Sequence, residues 1–238
     1  MRGMKISHPF IQLPLFFDAP ALAAEIAALG ESVWMPHPQG FAGNSMLPLV
    51  ASEGDPADES FAGQMMPTPH LQACPYLGRV IASLGTVVGR TRLMRLSGHA
   101  EVTRHADQGY YWADRVRVHV PITTQPTVRF ECEDTHTNMA AGECWIFDTW
   151  RQHRVLNDDT RERIHLVVDT VGSEEFWALV QAGGGSQTGT LRRWGDYSTM
   201  QIDPADDCTF WYTTQYIGAN GTFNWRTRVA SFKFPNCQ

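Results

Sequence analysis

Charge is scarce in these 238 residues. Only 18% are charged, 19 Lys and Arg stand against 25 Asp and Glu, and the formal net charge is −6. An acidic balance with no basic run argues against nucleic acid or an anionic membrane surface as partner. No stretch approaches the ~20 apolar residues needed to cross a bilayer. The five cysteines (Cys74, Cys132, Cys144, Cys208, Cys237) show neither a CxxC spacing nor an even-numbered framework, so a reducing cytoplasm is the expected setting. The N-terminal MRGMKISHPFIQLPLFF lacks the unbroken apolar core of a signal peptide, because His8, Pro9, Gln12 and Pro14 interrupt it. It is expected to be mature sequence.

Core-forming residues are plentiful. Hydrophobic side chains make up 43% of the chain, enough for one sizeable core. Residues 10–17 (FIQLPLFF) read as an edge strand interrupted by Pro14. Asp18 is placed to cap a helix, DAPALAAEIAALG, with Pro20 in its first turn and Gly30 at its end. Residues 34–66 are rich in Pro, Gly, Ser and Asp and predict a long loop, with Asn44, Ser45 and Met46 near a pocket mouth. Apolar spacing after Pro75 predicts a second helix stopping at Gly85.

The period then falls to two. In TVVGRTRLMRLSGHAEVTRHAD arginine alternates with apolar residues, the pattern of a strand pair turning at Ser97-Gly98. RVRVHVPI (115–122) places Arg115, Arg117 and His119 on one face. TVRFEC, THTNM, ECWIFD, HRVLN and RIHLVVD follow at short intervals. So many short strands predict a mainly β sandwich or jelly roll with flanking helices. SEEFWALVQA reads as a closing helix, so the main domain is expected over residues 1–182. A Gly/Ser linker over 183–190 follows, opening on Gly183-Gly184-Gly185. Residues 191–238 form an aromatic-rich β extension, too short to be a stable domain and expected to pack on the main domain or on a second copy as a homo-oligomer contact.

The segment from His105 to Arg163 holds the candidate chemistry. It opens with His105-x-Asp107, carries His153 48 positions further on, and reaches Arg163 ten positions later. His105 and Asp107 stand at a strand end, where i and i+2 side chains point the same way. Two imidazoles and one carboxylate on a β scaffold form the ligand set of non-haem Fe(II) oxygenases. A nearby arginine suits an acidic co-substrate such as 2-oxoglutarate. A His-x-Asp is weak on its own in a chain with nine histidines, and the bland reading makes it a loop histidine and a turn residue. His119 as a core histidine, and Arg117 as a structural ion pair with Glu131 or Asp148, are the bland readings of those two side chains.

The same segment resembles the aspartyl/asparaginyl β-hydroxylase family of Fe(II)/2-oxoglutarate-dependent dioxygenases, which includes bacterial hydroxylases of free amino acids such as proline. The likeness is carried by His105, the Arg115-Val116-Arg117-Val118-His119 strand, Gly142-Glu143, Phe147-Asp148 ahead of His153, and Arg163 leading into IHLVVD, and it covers about Gly89 to Thr170. It implies a double-stranded β-helix (jelly roll, cupin-like), with Fe(II) on His105, Asp107 and His153. It also implies 2-oxoglutarate on Arg163 and His119, O2 as oxidant, and a substrate carboxylate on Arg117 and Arg115. The family's animal member has glycine at the place of Asp107 and serine where Met94 stands. The aspartate here implies a complete triad, and hydroxylation rather than halogenation. The implied substrate is a small-molecule or short peptidyl amino acid. The competing class is a non-oxidising cupin-like protein holding a small ligand or a spectator metal. A third option is an assembly module built on the aromatic tail.

Overall fold

The structure is a computed structural model; it describes residue 6 and residues 8–180, 199–217 and 225–233. Two compact units divide the chain, residues 1–180 and 181–238. In the first, the strands and helices in chain order are β1 (Phe10–Phe16), α1 (Ala19–Leu29), β2 (Met35–Pro36), β3 (Asn44–Ser52), β4 (Met65–Pro67), α2 (Pro69–Gln72) and α3 (Pro75–Ala82). They continue through β5 (Val88–Leu96), β6 (Glu101–His105), β7 (Val116–Thr123), β8 (Val128–Cys132) and β9 (Thr135–Thr137). β10 (Glu143–Phe147), β11 (His153–Asn157), β12 (Arg163–Thr170) and α4 (Glu174–Val180) complete the unit. The strands form two antiparallel sheets, a major one ordered β1-β10-β7-β12-β5-β3-β2 with β4 on β3, and a minor one ordered β6-β11-β8-β9. This is a jelly roll, mainly β with flanking helices.

The period of two divides the major sheet into an apolar face and a polar one. Val116, Val118 and Val120 of β7, Leu166 and Val168 of β12 and Leu93 of β5 join Leu22 and Ile26 of α1 and Leu77, Val80 and Ile81 of α3 in the main core. Each fully buried side chain of this kind stabilises the fold by roughly 1.5–3 kcal/mol. The intervening residues, Arg117, His119, Arg163, His165, Arg92 and Asp169, are also buried, though polar. They face away from the helices, and a second, smaller apolar cluster of Leu96, Val128, Phe130, Phe147 and Val155 packs beside them.

The helix signals act as read. Asp18 Oδ1 accepts from the Ala21 amide at 3.0 Å, Pro20 lies in the first turn of α1, and Gly30 ends it at φ 78°. β1 is an edge strand of the major sheet. Two expectations need correction. Residues 34–66 are not one loop, because they contain β3, a nine-residue strand buried almost throughout. Covered on both faces, it shows no alternation of polar and apolar residues, and Pro48 disguises it further. The segments around Ser97-Gly98 are strands, but not a pair: β5 joins the major sheet and β6 the minor one. The turn between them crosses from sheet to sheet, and His99 holds φ 57° within it. Its glycine is required by space, since a Cβ at Gly98 would collide with the backbone carbonyl of Thr160.

The second unit shows β13 (Thr199–Ile202), β14 (Thr209–Ile217) and β15 (Trp225–Lys233) as one antiparallel sheet. The turn at Asp203-Pro204 is closed by the Asp203 amide donating to the Thr209 carbonyl at 2.7 Å. Cys208 is disulfide-bonded, which the cysteine spacing does not announce, whereas Cys74, Cys132 and Cys144 are buried free thiols. The 183–190 linker and the Asn220-Gly221 turn lie outside the described residues. No helix among the described residues is long and apolar enough to cross a membrane.

Gly98→Ala is expected to destabilise the protein by about 1–3 kcal/mol, the range for forced overpacking, read as a lower urea midpoint. An unchanged midpoint would mean that the 97–100 turn can step aside.

Candidate active site

The polar face of the major sheet forms the floor of a cavity of about 450 Å³. Strand register sets its rows. Leu96 pairs with Arg163, Met94 with His165 and Arg92 with Val167 across β5 and β12. Val167 pairs with His119, and Asp169 with Arg117, across β12 and β7. Phe147 pairs with Arg117 across β10 and β7. The minor sheet supplies the opposite wall. His153 on β11 is the cross-strand partner of His105 at the end of β6, with ring centroids 4.3 Å apart.

Asp107 completes the group. Its amide donates to the Thr149 carbonyl at 2.9 Å, which fixes the chain just beyond β6. One ligand atom from each of His105, Asp107 and His153 lies within 4.8 Å of the other two. Both imidazoles have their Nδ1 against a carbonyl: Thr103 O at 2.7 Å for His105 and Arg151 O at 2.8 Å for His153. Nδ1–H is the donor there, so each Nε2 is left with its lone pair for a metal. Burial lowers the His153 pKa to about 4, so it is neutral and ready to ligate at neutral pH. Burial works to raise the Asp107 carboxyl, but Arg117 and then the two histidines outweigh it and hold it below its ordinary value. Three ligands of this kind, gathered toward one cavity, fit a divalent iron with open positions.

Arg117 lines the cavity and pairs with two acids of the chain. Its Nη1 donates to Asp107 Oδ2 at 2.7 Å and its Nε to Asp169 Oδ1 at 2.9 Å. It lies over the Trp112 ring at 4.4 Å. Bridged between two acids, it is an orienting group for Asp107, with neither Glu131 nor Asp148 as its partner. Glu131 pairs instead with Arg104, Arg129 and Arg154, and Asp148 with Arg151. Arg115 does not reach the cavity. It precedes β7, donates to the Tyr111 carbonyl and to Asp114, and stacks on the Tyr111 ring. It is not among the residues that line the cavity.

Arg163 does line the cavity. It is 4% exposed, and its Nη2 donates to His165 Nδ1 at 2.6 Å. Its Nε has no partner among the described residues, and burial lowers its pKa to about 9. A buried guanidinium without a counter-charge is costly, so this one fits an incoming carboxylate. His119 also lines the cavity, with Nε2 unpartnered among the described residues.

The sequence reading passed over His165, Arg90, Arg92 and Asp169. His165 and Asp169 share a period of two with Arg163 on β12, and Arg90 and Arg92 alternate with apolar residues along β5, so the signal was present. What it lacked was knowledge of which face the helices cover.

A family model described as Aspartyl/Asparaginyl beta-hydroxylase matches residues 60–172. The match takes in somewhat less than half of the chain and includes His105, Asp107, His153 and Arg163. The family is the one that the sequence resemblance pointed to. Several solved structures are similar in part. A Trichoplax adhaerens prolyl hydroxylase, in complex with a hypoxia inducible factor oxygen degradation domain peptide fragment, is 13% identical, with a TM-score of 0.48 over 72% of this chain and 87% of that one. A Burkholderia pseudomallei oxidoreductase of the 2OG-Fe(II) oxygenase family is 17% identical, with a TM-score of 0.48 over 70% and 87%. A Pseudomonas putida prolyl-4-hydroxylase is 19% identical, with a TM-score of 0.48 over 69% and 92%. No curated protein matches the chain in sequence.

Two outcomes follow for this site. Arg117→Met frees Asp107 and is expected to weaken binding of Co(II), used as an air-stable probe, by about 10–100-fold, as measured by calorimetry. Wild-type affinity in that variant would remove the orienting role. His119 and His165 are buried and held well below the ordinary 6.5, by burial first and then by Arg163. The unfolded chain therefore binds more protons than the folded one below that pH. This share of stability is complete above pH ~6.5 and falls as pH drops, by about 1.4 kcal/mol per unit for each histidine. Urea unfolding of the metal-free protein at pH 7.5 and 5.5 measures the loss, and equal stability at both would contradict burial in the neutral form.

Proposed function

We propose that His105, Asp107 and His153 hold Fe(II), that Arg163 binds the distal carboxylate of 2-oxoglutarate, and that the enzyme hydroxylates an unactivated C–H of an amino acid or amino-acid-derived substrate. The observation that carries this reading is the pairing of a two-histidine, one-carboxylate cluster with a buried Arg163 in the same cavity that has no acid partner among the described residues. When bound, the iron supplies the oxidative chemistry, in which O2 and 2-oxoglutarate give succinate, CO2 and a hydroxylated product.

The chain's own residues do the rest. The Thr103 and Arg151 carbonyls hold each imidazole in the ligating tautomer. Arg117 keeps Asp107 ionised and aimed. His119, cushioned against Phe130 and Phe147, stands on the row between Arg163 and the metal-side residues, where it can meet the co-substrate's other end. Phe130, Phe147 and Val155 keep that part of the cavity apolar and exclude water.

The cavity is of a size suited to a small substrate. A cytoplasmic setting accords with Fe(II) and with the three free thiols of the first unit, although the Cys208 disulfide stands against it for the second. Apolar side chains exposed on the second unit, among them Met200, Ile202 and Val229, support a role for it as a contact between copies.

Anaerobic addition of Fe(II) and 2-oxoglutarate is expected to raise a weak metal-to-ligand charge-transfer band in the visible. Asp107→Ala and His153→Ala are expected to lose the band, iron retention and succinate formation. Normal turnover in Asp107→Ala would sink the triad assignment. A wild-type protein with no band and no 2-oxoglutarate consumption would be a non-oxidising binder.

A further inference from the structure

A buried guanidinium ordinarily pairs with an acid, but Arg163 is held by an imidazole. Its Nη2 meets His165 Nδ1 at 2.6 Å. A guanidinium has only hydrogens to offer, so His165 Nδ1 is the acceptor and the ring's own proton sits on Nε2. His165 is 1% exposed, and that Nε2–H has no partner among the described residues. A buried donor left unmet destabilises a fold, so stability does not account for the ring. What it provides is one acceptor aimed at Arg163.

The neighbourhood offers no substitute. His165 stands two positions along β12 from Arg163, so both side chains leave the same face of the strand. Its cross-strand neighbours are Met94 on β5 and Pro121 on β7, a weak sulfur acceptor and a side chain with none. His119 Nδ1 lies 3.4 Å from the same His165 nitrogen, with the rings edge to face at 5.7 Å. That lone pair already faces Arg163, so His119 meets it as a second, weaker donor. His165 is not itself among the residues that line the cavity, whereas Arg163 and His119 are. Any part it has in binding therefore passes through them.

The kind of acceptor decides what Arg163 can do. A carboxylate in this place would orient the guanidinium and also cancel its charge, as Asp107 and Asp169 do for Arg117. A neutral imidazole orients it and leaves the charge for an incoming anion. Burial first, and then Arg163, keep His165 neutral by holding its pKa well below 6.5.

We propose that His165 is a positioning residue, whose Nδ1 aims the Arg163 guanidinium at the distal carboxylate of the co-substrate without neutralising it. The inference rests on the oxygenase reading above. The test compares His165→Leu, which removes the acceptor, with His165→Asn, whose Oδ1 comes near the place of Nδ1. Full-length protein is loaded with Fe(II) anaerobically, and dissociation constants are read from the visible band for two oxo acids. One is 2-oxoglutarate; the other is 2-oxopentanoate, which has the same chelating end and no distal carboxylate. His165→Leu is expected to weaken 2-oxoglutarate by about 10–100-fold, the range for a hydrogen bond to a charged group. Its affinities for 2-oxopentanoate and, by calorimetry, for Co(II) are expected to stay within about two-fold of wild type, as for independent sites. His165→Asn is expected to recover most of the 2-oxoglutarate affinity. In an Arg163→Met background, His165→Leu is expected to cause no further loss. The proposal is overturned if His165→Leu binds 2-oxoglutarate as the wild type does, or weakens both oxo acids equally. It is also overturned if His165→Asn recovers nothing. Should His165→Leu fail to fold, His165→Asn decides alone: a wild-type preference for 2-oxoglutarate supports the proposal and a lost preference overturns it. Absence of the band in the wild-type protein is a separate result, because it removes the oxygenase reading itself.

Discussion

Arg117 ties the segment that carries Asp107 to the major sheet. Its guanidinium reaches Asp107 on the loop after β6 and Asp169 near the end of β12, so one side chain of the major sheet fixes a metal-ligand candidate contributed from beyond the minor sheet. Burial alone would depress its pKa, but the two acids more than reverse that, and its pKa is raised. The pair therefore stays ionised in a place where an isolated charge would not be tolerated. Asp107 is in turn kept charged and oriented. Without this bridge the histidines would still face each other across β6 and β11, but the third ligand would hang from a loop.

Around that bridge the polar floor becomes intelligible as a charge arrangement. Strands β5, β7 and β12 give their apolar side chains to the helices and carry Arg92, Arg117, Arg163 and His119 to buried positions that line the cavity. Such a surface destabilises the protein unless anions come to it, and the chain provides fewer than the cations require. The deficit is functional in kind, since a site short of acid is one that binds them. The apolar cluster at the cavity's other wall keeps water from screening these charges.

Some of this was legible before any coordinates. Asp18, Pro20 and Gly30 marked a helix because capping is local chemistry, and alternation in RVRVHVPI and RIHLVVD marked strands because pleating is local geometry. The spacing of His105, Asp107, His153 and Arg163 pointed to the cavity residues for the same reason, since strand-end and strand-start positions place side chains predictably. β3 was hidden because a strand covered on both sides carries no alternation, and Pro48 reads as a breaker. What the pattern could not show is that Arg115, one step before the strand begins, turns its side chain back onto Tyr111 and Asp114.

The amino-acid sequence by itself determined the β class, the helix ends, and the residue types able to hold iron and an acidic co-substrate, because each depends on neighbours a few positions apart. Tertiary structure alone decided which arginines are spent within the chain and which are left over. Arg117 meets an acid ten positions away and another 52 positions away, whereas Arg92, in the same kind of alternating strand, meets only a methionine sulfur among the described residues. Strand order and register made that difference. They are set by how the whole set of apolar faces packs, which no local pattern encodes.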